Sequence, residues 1–238
     1  MLHEANRILL LSSSNTHGTG YLDHAESEIR NLFGDIRDVL FVPYALHDLD
    51  TYAAKAADRF RLMGVHLKSI HQAAQPRLAV EQAQAIFIGG GNTFRLLNFL
   101  YRFNLLEPIR RKVASGMPYI GSSAGSNVAG PTIKTTKDMP IIQPPSFDAL
   151  CIVPFQISPH YQDPDPTSKH MGETQEERIL QFLEDNDTPV AGLRESTMVR
   201  IEGRSAILKG PLSARLFRKG VEPREAPAGS DIIPILFE

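Results

Sequence analysis

The chain has 238 residues, 42% of them hydrophobic, and its 25 Lys plus Arg stand against 27 Asp plus Glu for a formal net charge of −2. That balance describes a folded, soluble protein and excludes a disordered tail or a fibre. With both signs mixed along the chain it leaves no electrostatic footprint for nucleic acid or for an anionic membrane. A single cysteine, Cys151, rules out an intramolecular disulfide and a Cys-based zinc site and points to a reducing cytoplasm.

Ile8 to Leu11 is an apolar run closed by Ser12-Ser-Ser-Asn15, the pattern of a strand buried on both faces of a parallel sheet. It is too short for a signal h-region or a membrane span. Tyr21 to Phe33 then spaces Leu22, Ala25, Ile29, Leu32 and Phe33 at helical intervals and stops at Gly34. The alternation continues: a strand over Val39 to Val42, a helix over Asp48 to Met63, a strand over Val65 to Ile70, a helix over Arg77 to Gln82 and a strand over Ala85 to Ile88. Helices over Thr93 to Tyr101 and Leu105 to Ser115 lead to a strand over Met117 to Ile120. Such alternation predicts an α/β fold, a mostly parallel, doubly wound sheet with helices on both faces. From Pro131 to Pro166 the prolines crowd and predict loop and short strand. A helix over Thr174 to Leu183 follows. Then come β-rich segments over Pro189 to Leu193, Met198 to Ile201, Ala206 to Leu208 and Arg215 to Arg218, read as C-terminal antiparallel additions. At roughly 150 residues per domain, with no linker or internal repeat, one domain over residues 1–238 is expected.

Two glycine-rich loops sit directly after predicted strands. Gly121-Ser122-Ser123-Ala124-Gly125 is a G-x-S-x-G sequence, and the glycines give the room a strained strand-to-helix turn needs to raise Ser123 as a nucleophile. A plain helix cap or phosphate loop is the bland alternative. Gly89-Gly90-Gly91-Asn92-Thr93 exposes backbone amides that can hold an oxyanion or simply make a tight turn, with Asn92 and Thr93 capping the next helix or touching substrate. It is no nucleotide loop: no G-K-[ST] follows, and Arg95 stands where G-x-G-x-x-G needs its last glycine. Among eight histidines, His160 stands apart in Ile157-Ser-Pro-His160, where Pro159 can stiffen the loop that aims the ring. Asp138 and Glu195 are both candidates for the acid that orients it, and spacing does not choose between them. His160, Asp163 and Asp165 cluster, but without helical His pairs or an HExxH spacing no metal is expected.

Taken together, Ile86-Phe-Ile-Gly-Gly-Gly-Asn-Thr-Phe94, Tyr119-Ile-Gly-Ser-Ser-Ala-Gly-Ser-Asn127, Pro131-Thr-Ile-Lys-Thr-Thr-Lys-Asp-Met-Pro-Ile141, Phe147-Asp-Ala-Leu150, Gln156-Ile-Ser-Pro-His160 and Gly172-Glu-Thr174 resemble, in order, the peptidase E (α-aspartyl dipeptidase) family. The resemblance implies a class I glutamine amidotransferase-like, flavodoxin-like fold with serine in the place of the cysteine nucleophile. It also implies a cofactor-free serine exopeptidase acting on Asp-Xaa dipeptides. Carried over, Ser123 is the nucleophile, His160 the base, and Asp138 the acid, with Glu195 as the alternative. Gly90, Gly91 and the Ala124 amide hold the oxyanion, and Asn92 and His170 fall in the substrate pocket. Bacterial members carry arginine directly after Gly-Glu-Thr, where this chain has Gln175, and tryptophan where it has Ser122. Arginine grips a carboxylate with a bidentate, charge-assisted pair; glutamine offers only a neutral hydrogen bond. Arg178, Lys169 and Arg194 are the other carriers of that charge. A cyanophycinase-like peptidase of β-aspartyl linkages is the enzymatic alternative, and a binding module with a silent Ser123 the non-enzymatic one. An α/β-hydrolase esterase fits less well, because Asp138 and His160 follow Ser123 too closely for that fold.

Overall fold

The computed structural model describes residues 2–165, 167, 169 and 171–238. The first half alternates strand and helix: β1 (Arg7–Leu11), α1 (Glu26–Phe33), β2 (Asp38–Val42), α2 (Leu49–Leu62), β3 (His66–Ser69), α3 (Pro76–Gln82), β4 (Ile86–Ile88), α4 (Thr93–Arg102), α5 (Leu106–Ala114), β5 (Tyr119–Ser122) and the short α6 (Ala124–Asn127). The second half holds β6 (Gln156–Ser158), α7 (Gln175–Asp185), β7 (Val190–Leu193), β8 (Met198–Glu202), β9 (Ser205–Lys209), β10 (Ala214–Arg218), β11 (Val221–Ala226) and α8 (Ile232–Phe237). Among the described residues no helix is long and apolar enough to cross a membrane.

Seven strands form the central sheet in the order β3-β2-β4-β5-β1-β8-β9. The first five run parallel, while β8 and β9 extend the sheet antiparallel. The apolar runs of β1, β2 and β4 follow from burial on both faces. Ile8 and Leu10 face a core shared with α3, α4 and α5, whereas Leu9 and Leu11 face one shared with α1 and α2, so helices cover both faces as expected.

The remaining strands form a separate four-stranded sheet, β11-β10-β7-β6, rather than an extension of the first. The segments after Pro189 therefore divide: β8 and β9 join the central sheet, and β7 and β10 join the second. Leu193, Ala214 and Leu216 from the second sheet lie in the same buried cluster as Ile8 and Val199 from the first, and α7 covers the second sheet's other side through Ile179 and Leu183. Unanticipated elements are β11, whose run is broken by Pro223, and α8, six residues long and capped by the Asp231 side chain on Ile233 N. The predicted helix from Tyr21 begins instead as a 3-10 turn over Asp23–Ala25. Leu22 takes a left-handed conformation (φ 61°), and its amide is drawn to Ser14 O at 2.7 Å, which ties this turn to the loop after β1.

Register brings the loops together. Leu11 pairs with Ser122, and Ile88 with Gly121, so the chain leaves β1, β4 and β5 at one sheet edge, where α/β folds place ligands. In the second sheet Ser158 pairs with Gly192 in parallel, so the residues after both strands, among them His160 and Glu195, emerge side by side.

Candidate active site

Ser123 sits between β5 and α6 at φ 50°, ψ −107°, a conformation an L-residue adopts only when its surroundings impose it. Those surroundings are backbone. A Cβ on Gly121 would lie 2.4 Å from Gly125 O, and one on Gly125 would lie 2.1 Å from Ile88 O. Both glycines of the motif are thus dictated by close approach, and the Ser123 amide is anchored on Leu11 O at 3.0 Å. The result is a sharp strand-to-helix turn with Ser123 at its apex.

The His160 ring lies between two oxygens. Its Nε2 is 2.8 Å from Ser123 Oγ and its Nδ1 is 2.8 Å from Glu195 Oε1. His160 is itself held at φ 54°. Its amide donates to Ser12 Oγ at 2.9 Å, Ser12 Oγ donates onward to Leu193 O at 2.8 Å, and Lys137 Nζ donates to the His160 carbonyl at 2.7 Å. A ring so fixed can take a proton from Ser123 at Nε2 while a carboxylate accepts from Nδ1–H.

Asp138, the acid carried over from the family pattern, does not contact that ring. Its Oδ2 accepts from Thr93 N at 2.7 Å and from Thr93 Oγ1 at 2.6 Å, so the carboxylate caps the N-terminus of α4, where exposed amides favour an anion. Of the two acids the sequence left open, the structure puts Glu195 on His160 and Asp138 on Thr93. Thr93 is accordingly occupied by Asp138, and Asn92 by structure at both ends: its Oδ1 caps Arg95 N at 3.0 Å and its Nδ2 donates to Met139 O at 2.8 Å.

Gly90 and Gly91 line the same cleft as Ser123. A Cβ on Gly90 would lie 3.1 Å from Ser123 Cβ. The Gly90 amide faces the buried Tyr52 hydroxyl, whose pKa burial raises. Among the described residues the amides of Gly91 and Ala124 have no acceptor, so both remain available to an oxyanion. Gln175 and Arg178 do not line the cleft. Gln175 Nε2 donates to Ser158 Oγ at 2.9 Å, and its Oε1 accepts from Gln162 N at 2.9 Å and Lys137 Nζ at 3.3 Å. Arg178 is exposed and lies 3.7 Å from Glu173. Arg194, another candidate for gripping a carboxylate, is spent on Asp163 and Glu225, and its hydrogen bonds to them raise its pKa. His170 lies outside the described residues.

The cleft has a volume of about 610 Å³ and is bounded by Ser13 to His17 on one side and by Gly90, Gly91, Ser123, Asp138, His160 and Glu195 on the other. Sequence reasoning missed the loop of Ser12 to His17. The available signal was its place after β1, at the carboxyl edge of a parallel sheet.

Comparison with known proteins gives the chain its family and its fold. The profile of Peptidase family S51 matches residues 8–209. The chain is 50% identical over 229 residues to "Peptidase E" of Streptomyces coelicolor, covering 96% of this chain and 94% of that one. It is 51% identical over 217 residues to a "Probable alpha-aspartyl dipeptidase" of Drosophila melanogaster, covering 90% of each. In fold it is similar to the crystal structure of a peptidase from an acI-B1 Actinobacterium, with a TM-score of 0.70 at 17% identity over 95% of this chain and 96% of that one.

Proposed function

The chain belongs to peptidase family S51, and from that premise and the geometry above we propose that it is a cytoplasmic serine exopeptidase hydrolysing Asp-Xaa dipeptides through an acyl-enzyme on Ser123. The observation that carries the reading is the line Ser123 Oγ, His160 ring, Glu195 Oε1, with both hydrogen bonds at 2.8 Å. Ser123 Oγ attacks the peptide carbonyl carbon as its proton passes to His160 Nε2, and Glu195 steadies the imidazolium that forms. The carbonyl oxygen, now an oxyanion, is held by the Gly91 and Ala124 amides. Collapse breaks the C–N bond, His160 gives its proton to the leaving amine, and an ester remains on Ser123. Water then attacks the ester while His160 takes a proton from it, and that proton returns to Ser123 as the acid product leaves. A free α-ammonium is selected by Asp138, which lines the cleft and whose Oδ1, unlike Oδ2, takes no bond from Thr93. The name of the Drosophila melanogaster relative supports the choice of N-terminal aspartate, and the exposed, unpaired Cys151 supports a reducing compartment.

The test is turnover of Asp-Leu, β-Asp-Leu, Glu-Leu and N-acetyl-Asp-Leu, followed by release of leucine, with Ser123→Ala as control. Hydrolysis of Asp-Leu alone, lost by a factor on the order of 10³ or more in the variant, is expected. Preferred cleavage of β-Asp-Leu would replace the α-linkage with the β-linkage. Binding of these peptides without turnover would make the protein a binding module.

A further inference from the structure

The aspartate reading leaves one requirement unmet: the cleft lining holds two carboxylates and no Lys or Arg, while an N-terminal aspartate brings a negative side chain. Four cations were candidates, three of them from the sequence. Arg194 is closed in by Asp163 and Glu225. Arg178 is exposed and leans on Glu173. Lys169 is exposed. The fourth, Lys137, was not anticipated. Its Nζ lies 2.7 Å from the carbonyl oxygen of His160 and 3.3 Å from Gln175 Oε1.

We propose that Lys137 determines specificity in this chain, its ammonium receiving the side-chain carboxylate of an N-terminal aspartate in the role that arginine at position 175 would otherwise fill. The inference rests on the Asp-Xaa reading. An ammonium has three donors and no acceptor; two of the Lys137 donors are spent on neutral oxygens, one is left, and among the described residues no carboxylate lies within ion-pair distance of Nζ. Partial removal of the ammonium from water lowers the Lys137 pKa, against the pull of Asp138 and Glu195, and a bound carboxylate offsets that cost. Gln175 completes the arrangement, because its amide is fixed by Ser158 and by Gln162 N and presents Oε1 to the lysine head. Arginine at that position would set a second cation against Lys137, so lysine at 137 with glutamine at 175 is a self-consistent pair. Lys137 and Asp138 are also neighbours in one loop, and the substrate residue carries the complementary charges, a carboxylate and an ammonium.

The test compares kcat/KM for Asp-Leu and for its neutral isostere Asn-Leu in wild type, Lys137→Met, and Lys137→Met with Gln175→Arg. In Lys137→Met, turnover of Asp-Leu is expected to fall about 10- to 100-fold, the worth of one charge-assisted hydrogen bond. Both substrates lose whatever the Lys137 bond to the His160 carbonyl contributes to holding the base, so the quantity read is the ratio of the two kcat/KM values, which should fall about tenfold or more, and a thermal melt near that of wild type shows that the variant folds. Competitive inhibition by free L-aspartate should weaken by the same factor as Asp-Leu turnover. The added Gln175→Arg should restore most of the aspartate preference. Unchanged selectivity and unchanged aspartate inhibition in Lys137→Met would overturn the inference while leaving the dipeptidase reading in place. A wild type that does not prefer Asp-Leu over Asn-Leu would overturn both.

Discussion

Exchanging each carboxylate for its amide separates the roles of Glu195 and Asp138. Glu195→Gln keeps an oxygen that can accept from His160 Nδ1–H, so ring orientation survives and only the charge opposite the imidazolium is lost. At the observed 2.8 Å, with an effective dielectric between about 20 and 80, that charge is worth about 1.5–6 kcal/mol. The His160 and Glu195 side chains are 36% and 49% exposed, which selects the lower half of that range. About 2–3 kcal/mol corresponds to a fall in kcat of about 30- to 160-fold, with KM for Asp-Leu within a factor of about three. Asp138→Asn retains an oxygen for both Thr93 donors, so the 138 loop keeps its place. There kcat should stay within about threefold of wild type and KM should rise about tenfold or more, because the α-ammonium loses its carboxylate. Steady-state kinetics on the two purified variants decide. A hundredfold loss of kcat in Asp138→Asn, with Glu195→Gln near wild type, would refute the assignment and return the orienting role to Asp138.

Two further perturbations follow from the same geometry. Gly125→Ala sets a Cβ 2.1 Å from Ile88 O, a backbone atom held in the sheet, so it should cost about 3 kcal/mol or more, roughly 10 °C in Tm by thermal melting. Gly90→Ala sets a Cβ 3.1 Å from Ser123 Cβ and 3.2 Å from Ser122 O, tight contacts that the turn must yield to by a few tenths of an ångström; it should lower Tm less than Gly125→Ala does, while lowering kcat about tenfold by shifting Ser123 relative to the oxyanion amides. The hydrogen bonds of Arg194 hold the Asp163 and Glu225 carboxyls below their ordinary values. Because the folded pKa values are depressed, their contribution to stability is present above about pH 4 and is lost as pH falls through the depressed values. Arg194→Met should therefore melt below wild type at pH 7, with the gap narrowing below about pH 4; a gap independent of pH would contradict this.

The elements that position Ser123 were legible because each is a local pattern. The apolar run Ile8 to Leu11, the three glycines after Ile88 and the G-x-S-x-G turn each state their conformation within a few residues. His160 was legible for a related reason, a ring behind a proline at the end of a short apolar segment. The partner of that ring was not. Glu195 reaches His160 only because β6 and β7 pair in parallel, with Ser158 opposite Gly192, and a pairing over that separation leaves no trace in the spacing of either segment. Asp138 looked equally suitable because its true partner, Thr93, also lies far away in the chain. The second sheet was hidden for the same reason, since β6 has three residues among prolines and the strands after Pro189 alternate between two sheets. Lys137 carried no signal in sequence, where it reads as one more loop lysine until its head is seen on the His160 carbonyl.

Covalent acylation of Ser123 is measured directly by rapid acid quenching during turnover of aspartyl p-nitroanilide, followed by peptide mass analysis. A burst of p-nitroaniline equal to the enzyme concentration and an aspartyl adduct on the peptide containing Ser123 are expected, both absent from Ser123→Ala. Turnover with no adduct at any quench time, or an adduct that persists in Ser123→Ala, would contradict acylation of Ser123.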